Sequence, residues 1–416
     1  MADSTLTGVI AHVPRRLARQ AWGGTERVLE ETVRWERAQG VRSEVFTTRA
    51  LDPVAEENVN GMSVRRFAHY YPEWPLSAAR RSRYDRKGGN LVSHRLAQAL
   101  GREPHLLAVH CHTANRLGAQ CLRAARQRGV PCFLTLHGGY FAIPATERRH
   151  LQAEDLGRGG IHWGRILSWW WQTRALLQQL DGLVCVGLEE YEAMREQLPD
   201  QRVLFLPGGV DIDQAKLADP ARGREILATD GARPLLVCLA RLDEQKDQPT
   251  LVEAWAGLTT PCDLALVGPE TTPGYVDRCQ KAGPRGPGRL IVVPGVSPDK
   301  AHDVLAAATI VVLPSRHEPF GLVCIEAWAV GRPVVASDVG GPAWLLADER
   351  AGLLFPPGDV KALRSRLERL LDNPGDREQL GAVGQRRASR DFSWKERTRK
   401  LWQFYRECGA ALPRWE

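Results

Sequence analysis

The apolar positions of this chain fall in short unbroken runs, and between them lie longer stretches with a helical period. In the first half the pattern predicts strands at 8–13, 44–48, 64–68, 106–112, 132–137, 183–186 and 203–206, with helices at 24–38, 115–128, 163–180 and 189–198. In the second half, predicted strands at 235–240, 264–267, 290–293, 310–313, 334–336 and 353–355 alternate with helices. Ser297, Pro298 and Asp299 mark one helix start, with serine at the cap and proline in the first helical position. Strands that are apolar throughout belong to parallel sheets covered by helices on both faces. The expected fold class is therefore α/β, with two doubly wound, Rossmann-like domains. The turn residues Pro207, Gly208 and Gly209 set the boundary, giving domains at 1–205 and 206–390.

Composition agrees with that division. A chain of 416 residues is long enough for two ordinary cores. Its 43% hydrophobic and 25% charged content is that of a soluble globular protein. No apolar run approaches the roughly 20 residues of a membrane-spanning helix, and the N-terminal segment lacks the pattern of a secretory signal. Nine cysteines without a CxxC pair read as buried reduced thiols in a cytoplasmic protein. Charge changes the picture more. Residues 1–205 hold 28 Lys and Arg against 21 Asp and Glu, while the remainder balances at 28 of each. The stretch from Arg65 to Arg95 has eight basic and two acidic residues, interleaved with Tyr70, Tyr71, Trp74 and Tyr84. Such a stretch calls for an anionic partner or a peripheral contact with an anionic membrane surface. Nucleic acid is not expected, because the basic segments match no recognised reader fold.

The most informative motif runs from Glu318 to Glu326. Two glutamates bracket Pro319, Phe320 and Gly321 just after a predicted strand, and the helix opening at Gly321 and Leu322 is apolar except for Glu326. Its helical neighbours Leu322, Val323, Ala329 and Val330 offer it no partner, so Glu326 is expected to be a buried acid that ligand hydroxyls would meet. A helix start at a strand's carboxyl end is also ready to hold a phosphate. Together these features read as a nucleotide-sugar site.

Arg241 and Lys246 follow another strand end, at a spacing that lets both cations converge on one diphosphate or pair with the nearby acids. Gly23 and Gly24 lie between the first strand and a helix, where bare backbone suits close approach to a phosphate. His137 ends one strand, with His110 and His112 ending its neighbour; three imidazoles could hold a metal, but no acidic ligand accompanies them and no metal is expected. Asp211 and Asp213 resemble an acidic metal motif but fit ordinary turn chemistry. Trp163, Trp169, Trp170 and Trp171, with Arg158, Arg165 and Arg174, suit a membrane interface, a sugar-stacking surface or interdomain packing.

These residues resemble the retaining nucleotide-sugar glycosyltransferases of GT-B fold, the large family 4. EPFGLVCIEA resembles the family's E-x7-E motif and RLDEQKD its R-L-x3-K phosphate segment. GGTERVLEE followed by GVRSEVFTT resembles its first glycine loop, helix and strand, and LPGGVD its interdomain P-N-G-V-D, with Gly208 in place of Asn. FSWKERTRKLWQFY resembles the C-terminal helix, placing 391–416 back on the first of two domains that face across a cleft. The resemblance implies that Arg241 and Lys246 neutralise the leaving diphosphate. Glu318 would bind donor-sugar hydroxyls, Phe320, Gly321 and Leu322 would supply backbone contacts, and Glu326 would hold the ribose. Gly23 and Gly24 would close over the phosphate, and His137 would touch the transferred sugar. His112, Tyr140 and Trp74 are the acceptor-side candidates. The implied function is metal-independent, cofactor-free transfer of a hexose from a nucleoside-diphosphate sugar to a sugar, lipid-linked or phosphorylated acceptor, in cell-envelope or exopolysaccharide synthesis. The rival readings are a sugar-nucleotide epimerase or hydrolase of the same fold, and a non-catalytic sugar-nucleotide-binding subunit.

Overall fold

The computed structural model describes residues 8–19, 23–87, 89–137, 175–283, 286–348 and 350–415. The chain separates into two compact units, one of residues 1–207 with 394–416 and the other of 208–393.

In the first unit, strands β1 (Val9–Val13), β2 (Arg42–Thr48), β3 (Glu56–Val59), β4 (Met62–Phe67), β5 (Leu106–Cys111), β6 (Cys132–Leu136), β7 (Gly182–Cys185) and β8 (Val203–Phe205) form one sheet. Its order is β3-β4-β2-β1-β5-β6-β7-β8, and every pairing is parallel except β3 with β4. Strand β3 and its antiparallel pairing were not expected. They follow from the Asn60-Gly61 turn, whose two positive φ angles, 50° and 84°, close a tight hairpin between Val59 and Met62. Helices Ala78–Lys87 and His94–Arg102 were also not expected. In Ala78–Lys87, a crowd of arginines masks the helical period.

Helix α1 (Gly24–Ala38) buries Val28, Leu29, Thr32, Val33 and Glu36, one face at helical spacing. Helix α2 (Asn115–Arg128) stops at Gly129, whose left-handed φ of 66° ends the turn without a Cβ penalty. The last helix, α3 (Trp394–Glu407), belongs to this unit. Its Leu401, Trp402, Phe404 and Tyr405 share one buried cluster with Ile10, Ala108, Phe133 and Val184. Burial of Leu401 and Phe404 alone stabilises that docking by about 1.5–3 kcal/mol each. Gly182 admits the Phe404 ring, which would lie 2.6 Å from a Cβ at that position.

In the second unit, β9 (Leu235–Leu239), β10 (Asp263–Val267), β11 (Leu290–Val293), β12 (Ile310–Leu313), β13 (Val334–Ser337) and β14 (Gly352–Phe355) pair in parallel in the order β11-β10-β9-β12-β13-β14. Strands β9, β10, β12 and β13 are almost wholly buried, as a sheet covered on both faces requires. Among their parallel strands both sheets reverse their order once, between β1 and β5 in the first and between β9 and β12 in the second. Ligands of such folds bind outside the carboxyl ends of the strands at these reversals.

The basic stretch of the first unit is less available than its composition suggested. Arg66 is fully buried and reaches Asp52 at 3.0 Å and Glu57 at 2.6 Å, and Arg80 reaches Glu73 at 2.5 Å. Arg65 stands over the Phe46 ring and within 4.0 Å of Glu44, Glu56 and Glu103. Apart from Glu73, these acids lie outside the stretch, so a local charge count missed them. Trp74, by contrast, is 72% exposed.

Candidate functional site

The reversal in the second sheet carries the clearest polar cluster of that unit. The segment after β9 and the segment after β12 are stitched together: Gln245 Nε2 donates to the His317 carbonyl at 3.0 Å, and the Arg316 N–H donates to the Gln245 carbonyl at 2.8 Å. This pairing brings Lys246 against Glu318, and the ammonium donates to Oε2. Both side chains are nearly nine-tenths buried, and Ser315 Oγ lies 3.5 Å from the same carboxylate oxygen. Two charges in such a place compensate each other, and removing either would leave the other without a counter-charge.

Arg241 is paired within its own segment. Its half-exposed guanidinium binds Asp243 at 3.1 Å and Gln245 Oε1 at 3.2 Å, the ordinary pairing that its neighbouring acids allow. Glu326 differs from expectation. Helix α4 (Leu322–Ala329) buries Cys324, Ile325, Ala327, Trp328 and Ala329. Leu322, Val323, Glu326 and Val330 lie along its other, half-buried face, and Glu326 is not without a partner in the protein. The expected buried, unmet acid is therefore a partly exposed one: Leu322, Val323 and Val330 share its half-buried face, and the helix turns Cys324, Ile325, Ala327, Trp328 and Ala329 to the core instead.

The start of that helix does have the open form that suits an anion. Its cap is Gly321, at φ 84°, and no side chain caps it. Phe320 supplies no polar atom from its side chain; the ring packs with Trp344 and Phe392. Two glycines that the motif reading missed hold this loop in place. Gly341 donates its N–H to the Glu318 carbonyl at 2.9 Å, and a Cβ on it would lie 2.2 Å from the Phe320 backbone. A Cβ on Gly340 would lie 2.3 Å from the Glu318 carbonyl oxygen. The GG pair was visible after β13, but nothing local ties it to a loop twenty residues earlier.

In the first unit, the reversal between β1 and β5 holds a line of imidazoles. His12 Nε2 is 2.7 Å from Glu36 Oε2, His12 Nδ1 is 3.1 Å from His112 Nε2, and His112 Nδ1 is 2.9 Å from His137 Nε2. Ser43 Oγ donates to the same Glu36 oxygen at 2.6 Å. His110 stands beside the line; its ring nitrogens meet Tyr405 Oη and Thr135 Oγ1. Burial pushes the His110 and His112 rings well below the usual imidazole range, with neighbouring imidazoles adding to the effect. Burial, then the Arg397 charge, pushes His137 down to about 3.

His112 therefore has both ring nitrogens engaged inside the protein and offers neither to an acceptor. His12, His110 and His112 have ring nitrogens within 4.8 Å of one another, so a fourth imidazole, His12, joins the expected cluster. An acid accompanies them after all. Glu36 sits on the buried face of α1, where the sequence shows a polar residue at an apolar position.

The start of α1 is occupied by its own chain. Gly23 caps the helix in extended backbone, and the Glu26 carboxylate lies beside it, where the Gly23 and Glu26 backbone favours its charged form. Burial nonetheless raises the Glu26 pKa. A Cβ on Gly23 would meet only Glu26 Oε2, at 3.4 Å, so the fold does not require glycine there. Gly24 is exposed. Tyr140 and the Trp163–Trp171 and Arg158–Arg174 cluster lie outside the described residues.

Comparison with known proteins settles the class. The family model "Glycosyltransferase Family 4" matches residues 22–214, and "Glycosyl transferases group 1" matches residues 221–387. The chain is 30% identical over 323 residues to the alpha-maltose-1-phosphate synthase of Mycolicibacterium smegmatis, covering 73% of this chain and 79% of that one. It is also 30% identical over 417 residues to the D-inositol 3-phosphate glycosyltransferase of Frankia alni, covering 93% and 95%. The chain belongs to the glycosyltransferases.

Among solved structures, Anabaena Alr3699/HepE in complex with UDP and glucose superposes with a TM-score of 0.67 at 18% identity, covering 95% of this chain and 98% of that one. The glycosyltransferase thus has the expected GT-B fold. Asp211, at the head of its second unit, is a helix cap: its carboxylate accepts from the Asp213 and Gln214 N–H groups, both at 3.1 Å. All nine of its cysteines are free, eight of them buried. Among the described residues no helix is long and apolar enough to cross a membrane.

Proposed function

We propose that this glycosyltransferase is a retaining, metal-independent hexosyltransferase that takes its sugar from a nucleoside diphosphate and gives it to a phosphorylated or otherwise anionic sugar. The observation that carries the reading is the Lys246–Glu318 pair beside the open start of α4, at the strand reversal of the second sheet. Transfer from a nucleoside diphosphate builds negative charge on the leaving phosphate and positive charge on the sugar. A cation and a helix start aimed at the phosphate stabilise the first charge. Glu318 binds the sugar hydroxyls, Glu326 the ribose hydroxyls, and Arg241 swings from Asp243 to the diphosphate. These cations belong to the chain, so no metal is needed to offset the phosphate charge. In retention the departing phosphate takes the acceptor proton on the face where the new bond forms, and no glycosidase-type carboxylate pair is used.

For the acceptor, two relatives carry a sugar phosphate or inositol phosphate in their names, and the positive excess of the first half suits such an anion. Thermal-shift screening against UDP, GDP and ADP tests the donor site. One of them should raise the unfolding midpoint, since a ligand at 100 times its Kd adds about 2.7 kcal/mol. No shift with any of the three at millimolar concentration would overturn the reading. The anomeric configuration of the product, read by NMR, decides retention.

A further inference from the structure

The imidazole line has a direction. We propose that buried Glu36, acting through His12 and His112, fixes the proton of His137 on Nε2 and leaves Nδ1 as a bare acceptor for a substrate hydroxyl. The inference rests on the reading of His137 as a group that meets substrate, and the direction follows from the geometry with Glu36 ionised and one proton on each ring. A carboxylate has no proton to give, and Glu36 Oε2 already accepts from Ser43 Oγ at 2.6 Å, so the bond at 2.7 Å needs the proton on His12 Nε2. With one proton on each ring, His12 Nδ1 then accepts from His112 Nε2 at 3.1 Å. His112 Nδ1 in turn accepts from His137 Nε2 at 2.9 Å.

Three rings in series therefore carry the same tautomer, and the choice is made about three side chains away from where it is used. Both Glu36 and His12 are fully buried, while His137 is half-buried at the strand end. His137 Nδ1 makes no hydrogen bond among the described residues. Neighbouring groups leave the line intact: His110 turns its nitrogens to Tyr405 and Thr135, and Arg397 is held by the Pro207 carbonyl at 3.0 Å and Thr32 Oγ1 at 3.2 Å. Burial keeps His112 and His137 uncharged at neutral pH, as a one-proton-per-ring chain requires. Glu36, His12 and His112 are positioning residues; the substrate contact is made by His137.

The direct test is a long-range proton–nitrogen NMR spectrum of the full chain labelled at histidine, with signals assigned through single His→Gln variants. We expect His12, His112 and His137 to be protonated on Nε2 and bare on Nδ1. In Glu36→Gln, whose amide can donate to His12, the His137 nitrogens should shift although residue 36 does not touch that ring. The same variant should lose about 100-fold in kcat, with the donor KM changed less than about twofold. A wild-type His137 protonated on Nδ1 would overturn the proposal, and so would His137 signals unmoved in a folded Glu36→Gln protein. Stoichiometric zinc retained by the wild type and lost in His12→Gln would overturn it too, because a metal would replace the hydrogen bonds. If Glu36→Gln does not fold, the wild-type spectrum alone decides. A protein that binds no nucleoside diphosphate would defeat the donor reading and leave the tautomer result standing.

Discussion

The two units put the same topological feature, a strand reversal, to opposite uses. In the second unit the polar groups sit beyond the strands, on loops after β9 and β12, and they meet as one buried ion pair. In the first unit the polar groups begin inside a strand, at His12 near the carboxyl end of buried β1, and run outward as a hydrogen-bonded line to His137. The first arrangement concentrates charge where a charged ligand would exchange with it. The second carries no formal charge on the two imidazoles nearest the strand ends and works by orientation. A doubly wound sheet can thus present charge or direction at its carboxyl edge, depending on whether the polar residues lie in the loops or in the strands.

The sharpest way to break this contrast is to remove half of the ion pair. Lys246→Met leaves Glu318 buried without a counter-charge and should destabilise the second unit by about 3–5 kcal/mol in denaturant unfolding. The double variant Lys246→Met/Glu318→Gln should recover much of that stability and none of the turnover. A single variant as stable as wild type would mean that the pair is not buried as described.

Acid should distinguish the units next. The His110 ring is neutral when folded, and its pKa lies well below the usual value. The unfolded chain binds a proton there once pH drops through about 6.5, so folding stability is complete above that pH and declines below it. Each such imidazole contributes a slope of up to about 1.4 kcal/mol per pH unit. For His137 the window runs from about 6.5 down to about 3. The loss should appear in probes of the first unit, and a His110→Gln protein should show a shallower decline.

Smaller effects sharpen the comparison within the second unit. Gly341→Ala pushes a methyl group to 2.2 Å from the Phe320 backbone. It should cost about 1–3 kcal/mol by overpacking and weaken donor binding by displacing Glu318. Arg241→Ala removes only a surface pair and should change stability by less than about 1 kcal/mol, yet lower kcat/KM for the donor. If turnover is unchanged, Arg241 keeps its contact with Asp243 throughout the reaction.

What could be read from the chain follows the same division. Runs of apolar residues revealed the parallel sheets, and α1 and α2 fell where their periods placed them, because short-range pattern decides those elements. The loop motifs around Lys246 and Glu318 were legible since their residues are consecutive. The partnership between them was not, because it depends on which strands become neighbours. The imidazole line was harder still. Its three rings and Glu36 come from three strands or their ends and a helix; His112 and His137 were legible at strand ends, but His12 in an apolar strand and Glu36 on an apolar helix face carried the only signals that they join them. Glu326 shows the converse error: its apolar neighbours Leu322, Val323 and Val330 share a face that is only half-buried. The Asn60-Gly61 hairpin carried a clear turn signal, but β3 is polar and short, so no apolar run announced it.

The most direct test of the account compares calorimetric titration of the wild type and Lys246→Met with the nucleoside diphosphate that screens best. The wild type should bind measurably and the variant at least tenfold more weakly, equivalent to about 1.4 kcal/mol. Equal affinity in the two proteins, with the variant folded, would contradict it.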